Sequence, residues 1–272
     1  MTRVLVTNDD GIAAPGLRWL ARAAADRGLD VTVAAPRHES SGTSAALTAV
    51  TVNGRVAFDR TDLDGVPAYA VAASPSYITL LAGLGAFGPV PDVVLSGVNK
   101  GANAGHGILH SGTVGAALTA AMNGLRGMAV SLDVISPVVA RGAGSGGAVI
   151  AALDLVDDET RHWGTAADVA VRLLPWLHTA GAGTMLNVNV PDLAPDQLAG
   201  VRQATLAPFG QVQMAVAESG HDYVRVSLEE SGARQLPGSD LALLADGYAA
   251  VTPVRLLGAA DGVTVDLGRA PS

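Results

Sequence analysis

Short, unbroken apolar runs alternate along most of this chain with longer stretches of helical character. Val4-Leu5-Val6 is the first run, β-branched at two of its three positions. Pro15 to Gly28 then reads as a helix, with proline in its first turn and glycine just past its end. A second run, Val31 to Pro36, precedes a polar loop from Arg37 to Ser44. Residues 47–58 and 67–73 predict strands or a hairpin, the second leading into a helix from about Pro75 to Leu84. Asp92 to Gly97 is the next strand, followed by a glycine-rich loop from Asn99 to Ser111 and an alanine-rich helix over 112–125. Gly127 to Leu132, a helix at about 164–178 and Leu186 to Pro191 complete the series. Runs that are apolar at every position, rather than at every second one, predict parallel strands buried on both faces. Their alternation with helices predicts an α/β fold with a doubly wound, mostly parallel sheet.

Two segments break this rhythm. Residues 138–160 hold Gly142-Ala-Gly-Ser-Gly-Gly147 and then Asp154, Asp157, Asp158 and Glu159, and read as a flexible excursion. From 200 to 232 strict alternation takes over, as in Tyr223 to Leu228, with Glu218-Ser-Gly-His221 as the turn. That predicts an antiparallel C-terminal β-hairpin arm. A lone hairpin is marginally stable, so the arm is expected to pack on a partner subunit. The expected organisation is one domain over 1–272, with a core at about 1–195 and a hairpin extension at about 196–272.

Composition narrows the function classes. Aromatics are only 4% of 272 residues, so the core must be built from small and branched aliphatic side chains. A formal charge of −8 argues against general nucleic-acid or membrane-surface binding, and an anionic substrate would need a local cation or helix N-terminus. With no cysteine, thiolate nucleophiles, disulfides and cysteine-based zinc sites are excluded. The apolar stretches at 78–91 and 113–125 fall short of the ~20 residues of a membrane span, and Asp9 and Asp10 interrupt any signal-like run. The expectation is a cytoplasmic protein.

The candidate chemistry starts at the carboxyl end of the first strand, where ligands bind in open α/β sheets. Asp9 and Asp10 stand there side by side, and two close carboxylates repel unless a cation or shared proton offsets them. One of them could simply cap the following helix, but only one can. Asn8 could orient the pair. The hydroxyl-rich turn Ser40 to Ser44 and the amide of Asn99 follow other strands at the same sheet edge. Each has a plain structural reading as loop chemistry. Together with the carboxylates they make an all-oxygen set suited to Mg²⁺, Mn²⁺ or Ca²⁺ and not to zinc. Ser111-Gly112-Thr113 opens the alanine-rich helix, where unpaired N–H groups, the helix dipole and two hydroxyls would cradle a phosphate. No Walker lysine pattern occurs, and the spacing Gly101 to Gly107 is weak evidence for a dinucleotide.

Four spaced motifs, VTNDDGIAAPGL (6–17), SGTSAALT (41–48), LSGVNKGANAG (95–105) and HSGTVGAA (110–117), resemble the SurE family of survival-protein phosphatases. The later LNVNVP (186–191) and SDLALLADGYAAVTPV (239–254) extend the likeness over nearly the whole chain. The resemblance implies a Rossmann-like fold and a metal-dependent phosphatase of nucleoside 5′- and 3′-monophosphates. It implies one divalent cation per subunit and a homodimer or homotetramer with exchanged C-terminal arms. It places Asp9, Asp10, Ser41 and Asn99 at the metal-ligand positions, and Asn103, Ser111, Gly112 and Thr113 beside the phosphate. The chain departs from the family pattern at Arg37, Ser40, Ser74, Tyr77, Gly107 and His110, and 141–158 reads as an insertion. Those departures bear on substrate choice and oligomer contacts.

The expected catalytic set is Asp9, Asn8 and His106. Asp9 would activate the nucleophile, and His106 or His110 would protonate the leaving alkoxide, as an imidazole does near neutrality. The expected partner is a small phosphorylated substrate, a nucleoside monophosphate, with no nucleic acid and no membrane. Two other readings stay open. One is a phosphatase of another phosphorylated metabolite, such as a sugar or natural-product phosphate; the other is a nucleotide-binding protein without activity.

Overall fold

Val4 and Val6 pack on one face of their strand and Leu5 on the other, and none is more than 1% exposed. The computed structural model describes residues 1–135, 157–181, 183–208, 212–230 and 236–255. In chain order, Arg3–Thr7 (β1) leads into Pro15–Asp26 (α1) and Asp30–Pro36 (β2). Two small hairpin strands, Thr51–Val52 (β3) and Arg55–Val56 (β4), precede Phe58–Leu63 (β5), Val66–Val71 (β6) and the helix Pro75–Gly83 (α2). Val93–Lys100 (β7), Gly112–Met122 (α3), Arg126–Asp133 (β8), Trp163–Thr179 (α4) and Thr184–Pro191 (β9) follow. The chain continues through Gly200–Gln203 (β10), Val212–Ser219 (β11), Val224–Glu230 (β12), Asp240–Ala245 (α5) and Tyr248–Arg255 (β13).

Among the described residues nine strands form one sheet in the order β10-β13-β9-β8-β7-β1-β2-β6-β5. The six strands from β9 to β6 pair in parallel, while β5 and β13 pair antiparallel to their neighbours β6 and β9. Helices α1 and α4 cover one face over Val4, Val6, Val33, Leu95, Val130 and Val188. Helices α2 and α3 cover the other over Leu5, Ala34, Val94 and Ala129. This is the doubly wound, mostly parallel arrangement that unbroken apolar runs require.

Between residues 47 and 73 the expected strands or hairpin are two hairpins. The stretch 47–58 holds the β3–β4 hairpin and the start of β5, which pairs antiparallel with β6. Asn53-Gly54 and Asp64-Gly65 cause this, each pair having positive φ at both residues, the backbone of a tight two-residue hairpin turn. The C-terminal hairpin forms a separate two-stranded sheet, β11 with β12, and its turn falls at 220–223, slightly later than expected. The described remainder of the 196–272 extension divides differently: β10 and β13 join the main sheet. Most of the 138–160 excursion lies outside the described residues; its end is a 3₁₀ turn at Asp158–Thr160.

Candidate active site

The strand order reverses at β1, which lies between β2 and β7. A crevice at the carboxyl ends of strands is expected at such a switch point. Asp9 and Asp10 follow β1 directly. Asn99 reaches the same edge through an irregularity in β7, where Ser96 pairs with Ala129 but Asn99 pairs with Ser131. One extra residue in β7 turns its last positions toward the crevice. The cavity there has a volume of about 730 Å³ and is lined by Asp9, Asp10, Ser41, Asn99, Asn103 and Ser111, among others.

Neither carboxylate caps α1, whose N-cap is Ala14 without a side-chain bond. Asp9 is instead received by the N-terminus of α3. The Thr113 hydroxyl donates to its Oδ1, and the backbone N–H groups of Gly112 and Thr113 lie close enough to favour the charged carboxylate. A Cβ on Gly112 would come within 2.8 Å of Asp9 Oδ2, so only glycine admits so close an approach. Ser111 caps the helix by accepting from Val114 N at 3.1 Å. Burial pushes the Asp9 carboxyl above the usual range despite these donors. Burial and then the charge of Asp9 push Asp10 up to about 7, with a backbone bond from Lys100 opposing them.

The loop after β2 is tied to this centre. Ser40 N donates to the Asp9 carbonyl at 2.7 Å, and the Ser41 hydroxyl, exposed beside the cavity, donates to Glu39 Oε1 at 2.7 Å. Asn99 gives its amide N–H groups to the carbonyls of Lys100 and Gly101, at 3.2 and 2.8 Å, which leaves its Oδ1 as an acceptor. Asn103 lines the cavity while its backbone is clamped by two buried amides: Asn189 Oδ1 accepts from its N–H, and Asn187 and Asn189 donate to its carbonyl.

The other expected residues sit back from the cavity. Asn8 is fully buried and uses both ends of its amide on Gly11, at 3.0 and 3.2 Å. Gly112 and Thr113 lie behind Asp9, with Thr113 fully buried. His106 is exposed and not among the lining residues, whereas His110 is among them.

Several participants were not expected. Lys100, Asp158 and Trp163 line the cavity. Lys100 Nζ lies 3.1 Å from Asp158 Oδ1, and the buried Arg161 guanidinium binds Asp158 at 2.9 Å and Asp192 at 3.2 Å. Fully buried Asp240 accepts from Gly105 N and Ala207 N, anchoring the glycine-rich loop from a distant helix. Apart from Arg161 with Asp158, three residues away, the pairing partners of these groups come from remote segments, and no spacing in the sequence announces them.

The six departures from the family pattern also separate. Arg37 pairs with Asp59 at 2.9 Å, and Ser74 accepts from Thr48 N and donates to the Ala46 carbonyl. Of the six, Gly107 and His110 line the cavity.

Among the described residues no group of three or more His, Cys, Asp or Glu is arranged to hold a metal. The donor set is two carboxylates with neutral oxygens, the chemistry of a hard divalent cation. Asp9 is buried and Asp10 half-buried, and the Asp9 charge raises the proton affinity of Asp10; a cation would relieve that repulsion, so these residues fit such an ion. No described helix is long and apolar enough to cross a membrane.

Comparison with known proteins bears on this geometry. The family model described as "Survival protein SurE" matches residues 4–213. The 5'-nucleotidase SurE of Azorhizobium caulinodans is 32% identical, covering 93% of this chain and 92% of that protein. The 5'/3'-nucleotidase SurE of Escherichia coli O127:H6 is 31% identical, covering 93% and 90%. The crystal structure of the SurE protein from Aquifex aeolicus superposes with a TM-score of 0.70 at 25% identity, covering 95% of both chains.

Proposed function

The chain belongs to the SurE family, and from that premise we propose that it is a metal-dependent phosphomonoesterase acting on nucleoside 5′- and 3′-monophosphates. The observation that carries the reading is the Asp9–Asp10 pair at the switch point, Asp10 half-buried and Asp9 buried and held on the N-terminus of α3. Asp9, Asp10, the Ser41 hydroxyl and Asn99 Oδ1 would hold one divalent cation, Mg²⁺ or Mn²⁺, or Ca²⁺ where supplied. When bound, the ion supplies Lewis-acid polarisation of a phosphoryl oxygen and acidifies bound water.

The chain's own residues divide the remaining work. The Gly112, Thr113 and hydroxyl donors fix the Asp9 carboxylate in one orientation, which favours its taking a proton from the attacking water. As the water oxygen bonds to phosphorus, the P–O ester bond breaks and the leaving alkoxide needs a proton. His110 lines the cavity and is the better placed donor than His106. Ser111 offers its hydroxyl to a phosphoryl oxygen. Asn8 acts at one remove, holding the Gly11 turn that carries the carboxylates. We take 1–272 as a single domain whose β11–β12 hairpin packs on a partner subunit in a homodimer or homotetramer.

The test is phosphate release from nucleoside monophosphates and sugar phosphates after EDTA treatment and add-back of Mn²⁺ or Mg²⁺. Turnover returns with the metal and is greatest on nucleoside monophosphates. In Asp9→Asn it falls roughly 10²–10⁴-fold with the circular-dichroism spectrum unchanged. Full activity of Asp9→Asn would refute the assignment. A preference for sugar phosphates would favour the specialised-metabolite reading, and binding without release a non-catalytic one.

A further inference from the structure

The cavity is short of positive charge for an anionic substrate. Asp9, Asp10, Glu39 and Asp158 all line it, and among the described residues lining it Lys100 is the sole lysine or arginine. The helix N-terminus that would ordinarily receive a phosphate is already occupied, because the Thr113 hydroxyl donates to Asp9 and the Asp9 carboxylate packs directly on Gly112. A divalent cation would balance Asp9 and Asp10 alone, leaving Glu39, Asp158 and the incoming phosphoryl charge.

Lys100 is built into both sides of the cavity. Its backbone follows Asn99 at the edge that carries Asp10, and its Nζ sits 3.1 Å from Asp158 Oδ1. The same Oδ1 is held at 2.9 Å by Arg161 Nε, whose side chain is 1% exposed and also pairs with Asp192. Turning Lys100 away from Asp158 would therefore leave neither Asp158 nor Arg161 without an opposite charge. The lysine side chain is about one-third exposed, on the cavity side of the wall. We infer that Lys100 anchors the substrate phosphate, with Asp158 as its resting partner, making this pair a specificity-determining element contributed by β7 and the segment just before α4. The inference rests on the phosphomonoesterase reading.

Titration of the Mn²⁺-loaded protein with inorganic phosphate by calorimetry reads this directly, apart from turnover. Lys100→Met, which keeps the apolar stem, is expected to weaken phosphate binding roughly 10- to 100-fold, the size of a lost charge-assisted contact. KM for a nucleoside monophosphate should rise by a similar factor, with kcat changed by less than about threefold. Lys100→Arg should restore most of both. Asp158→Asn, which keeps an oxygen for Arg161, should tighten phosphate binding, because the Asp158 charge no longer competes with phosphate for Lys100. Phosphate binding by Lys100→Met equal to wild type would overturn the inference, and weaker binding in Asp158→Asn would overturn the resting-partner role. If the wild-type protein releases no phosphate with any metal, the functional reading falls instead; if it does and Lys100→Met is unaffected, only the Lys100 assignment falls.

Discussion

Asp10→Asn should make the metal-free protein more stable near pH 8, although it removes a cavity-lining charged group. In the folded protein burial and the neighbouring Asp9 charge raise the Asp10 carboxyl to about 7 from an ordinary 3.8. A carboxyl raised on folding contributes stability that is fully present below its unfolded pKa and is lost as pH rises through its folded pKa. At 1.36 kcal/mol per pKa unit the full shift corresponds to about 4 kcal/mol, of which about 2–3 kcal/mol is lost between pH 5 and pH 8. The asparagine keeps an oxygen for the Lys100 N–H and carries no charge to repel Asp9, so it escapes this loss. Urea denaturation of wild type and Asp10→Asn in EDTA, at several pH values, measures the gap between the two. The gap should widen as pH rises, and Mn²⁺ should reverse its sign near pH 8 by binding the folded wild-type site. A gap that stays constant across this range, or an Asp10→Asn protein less stable than wild type near pH 8 in EDTA, would refute the reasoning.

Two further substitutions probe the supports of the site. Gly112→Ala adds a Cβ 2.8 Å from Asp9 Oδ2 and 2.9 Å from both Asp9 Cβ and Thr43 Oγ1, forcing the carboxylate to move. Turnover should drop on the order of 10²-fold, the usual consequence of a misplaced reacting group, while thermal melting falls only modestly; unaltered kcat would mean the Asp9 position is not critical. Arg161→Met leaves Asp158 and Asp192 without their buried guanidinium and should cost about 3–5 kcal/mol in urea denaturation. A loss under about 1 kcal/mol would show that the ion-pair chain does not hold the cavity wall.

The sheet was legible because its central strands have two buried faces. Val4, Leu5 and Val6 face different helix layers, so the sequence must be apolar at each position, and such a run has few other readings. The edge was less legible. Between 47 and 63 the strands are mostly exposed, so burial imposes no pattern there, and only the turn pairs Asn53-Gly54 and Asp64-Gly65 carry the information. The carboxylates and Asn99 could be placed because a strand's carboxyl end is a location that the strand itself marks. The clamp on Asn103 and the Lys100–Asp158–Arg161 chain could not. Apart from Asp158 with Arg161, they join segments far apart in sequence, and serine, asparagine and aspartate side chains have local roles that explain them equally well until the fold brings them together.

The same limit explains why Ser111-Gly112-Thr113 read as a phosphate cradle. A helix opening with small and hydroxyl residues is a good anion site, and the structure does put an anion there. The anion is Asp9, a fixed part of the protein. A carboxylate held on a helix N-terminus has its orientation set before any ligand arrives, which suits a group that must hold a cation or take a proton in one direction. The cost is that those donors are no longer available to substrate. Positive charge for the phosphate then has to come from the cation and from the cavity wall, where Lys100 is the lysine in reach. The aspartate pair and the lysine are thus linked through one helix: the more completely α3 is committed to Asp9, the more substrate binding depends on Lys100.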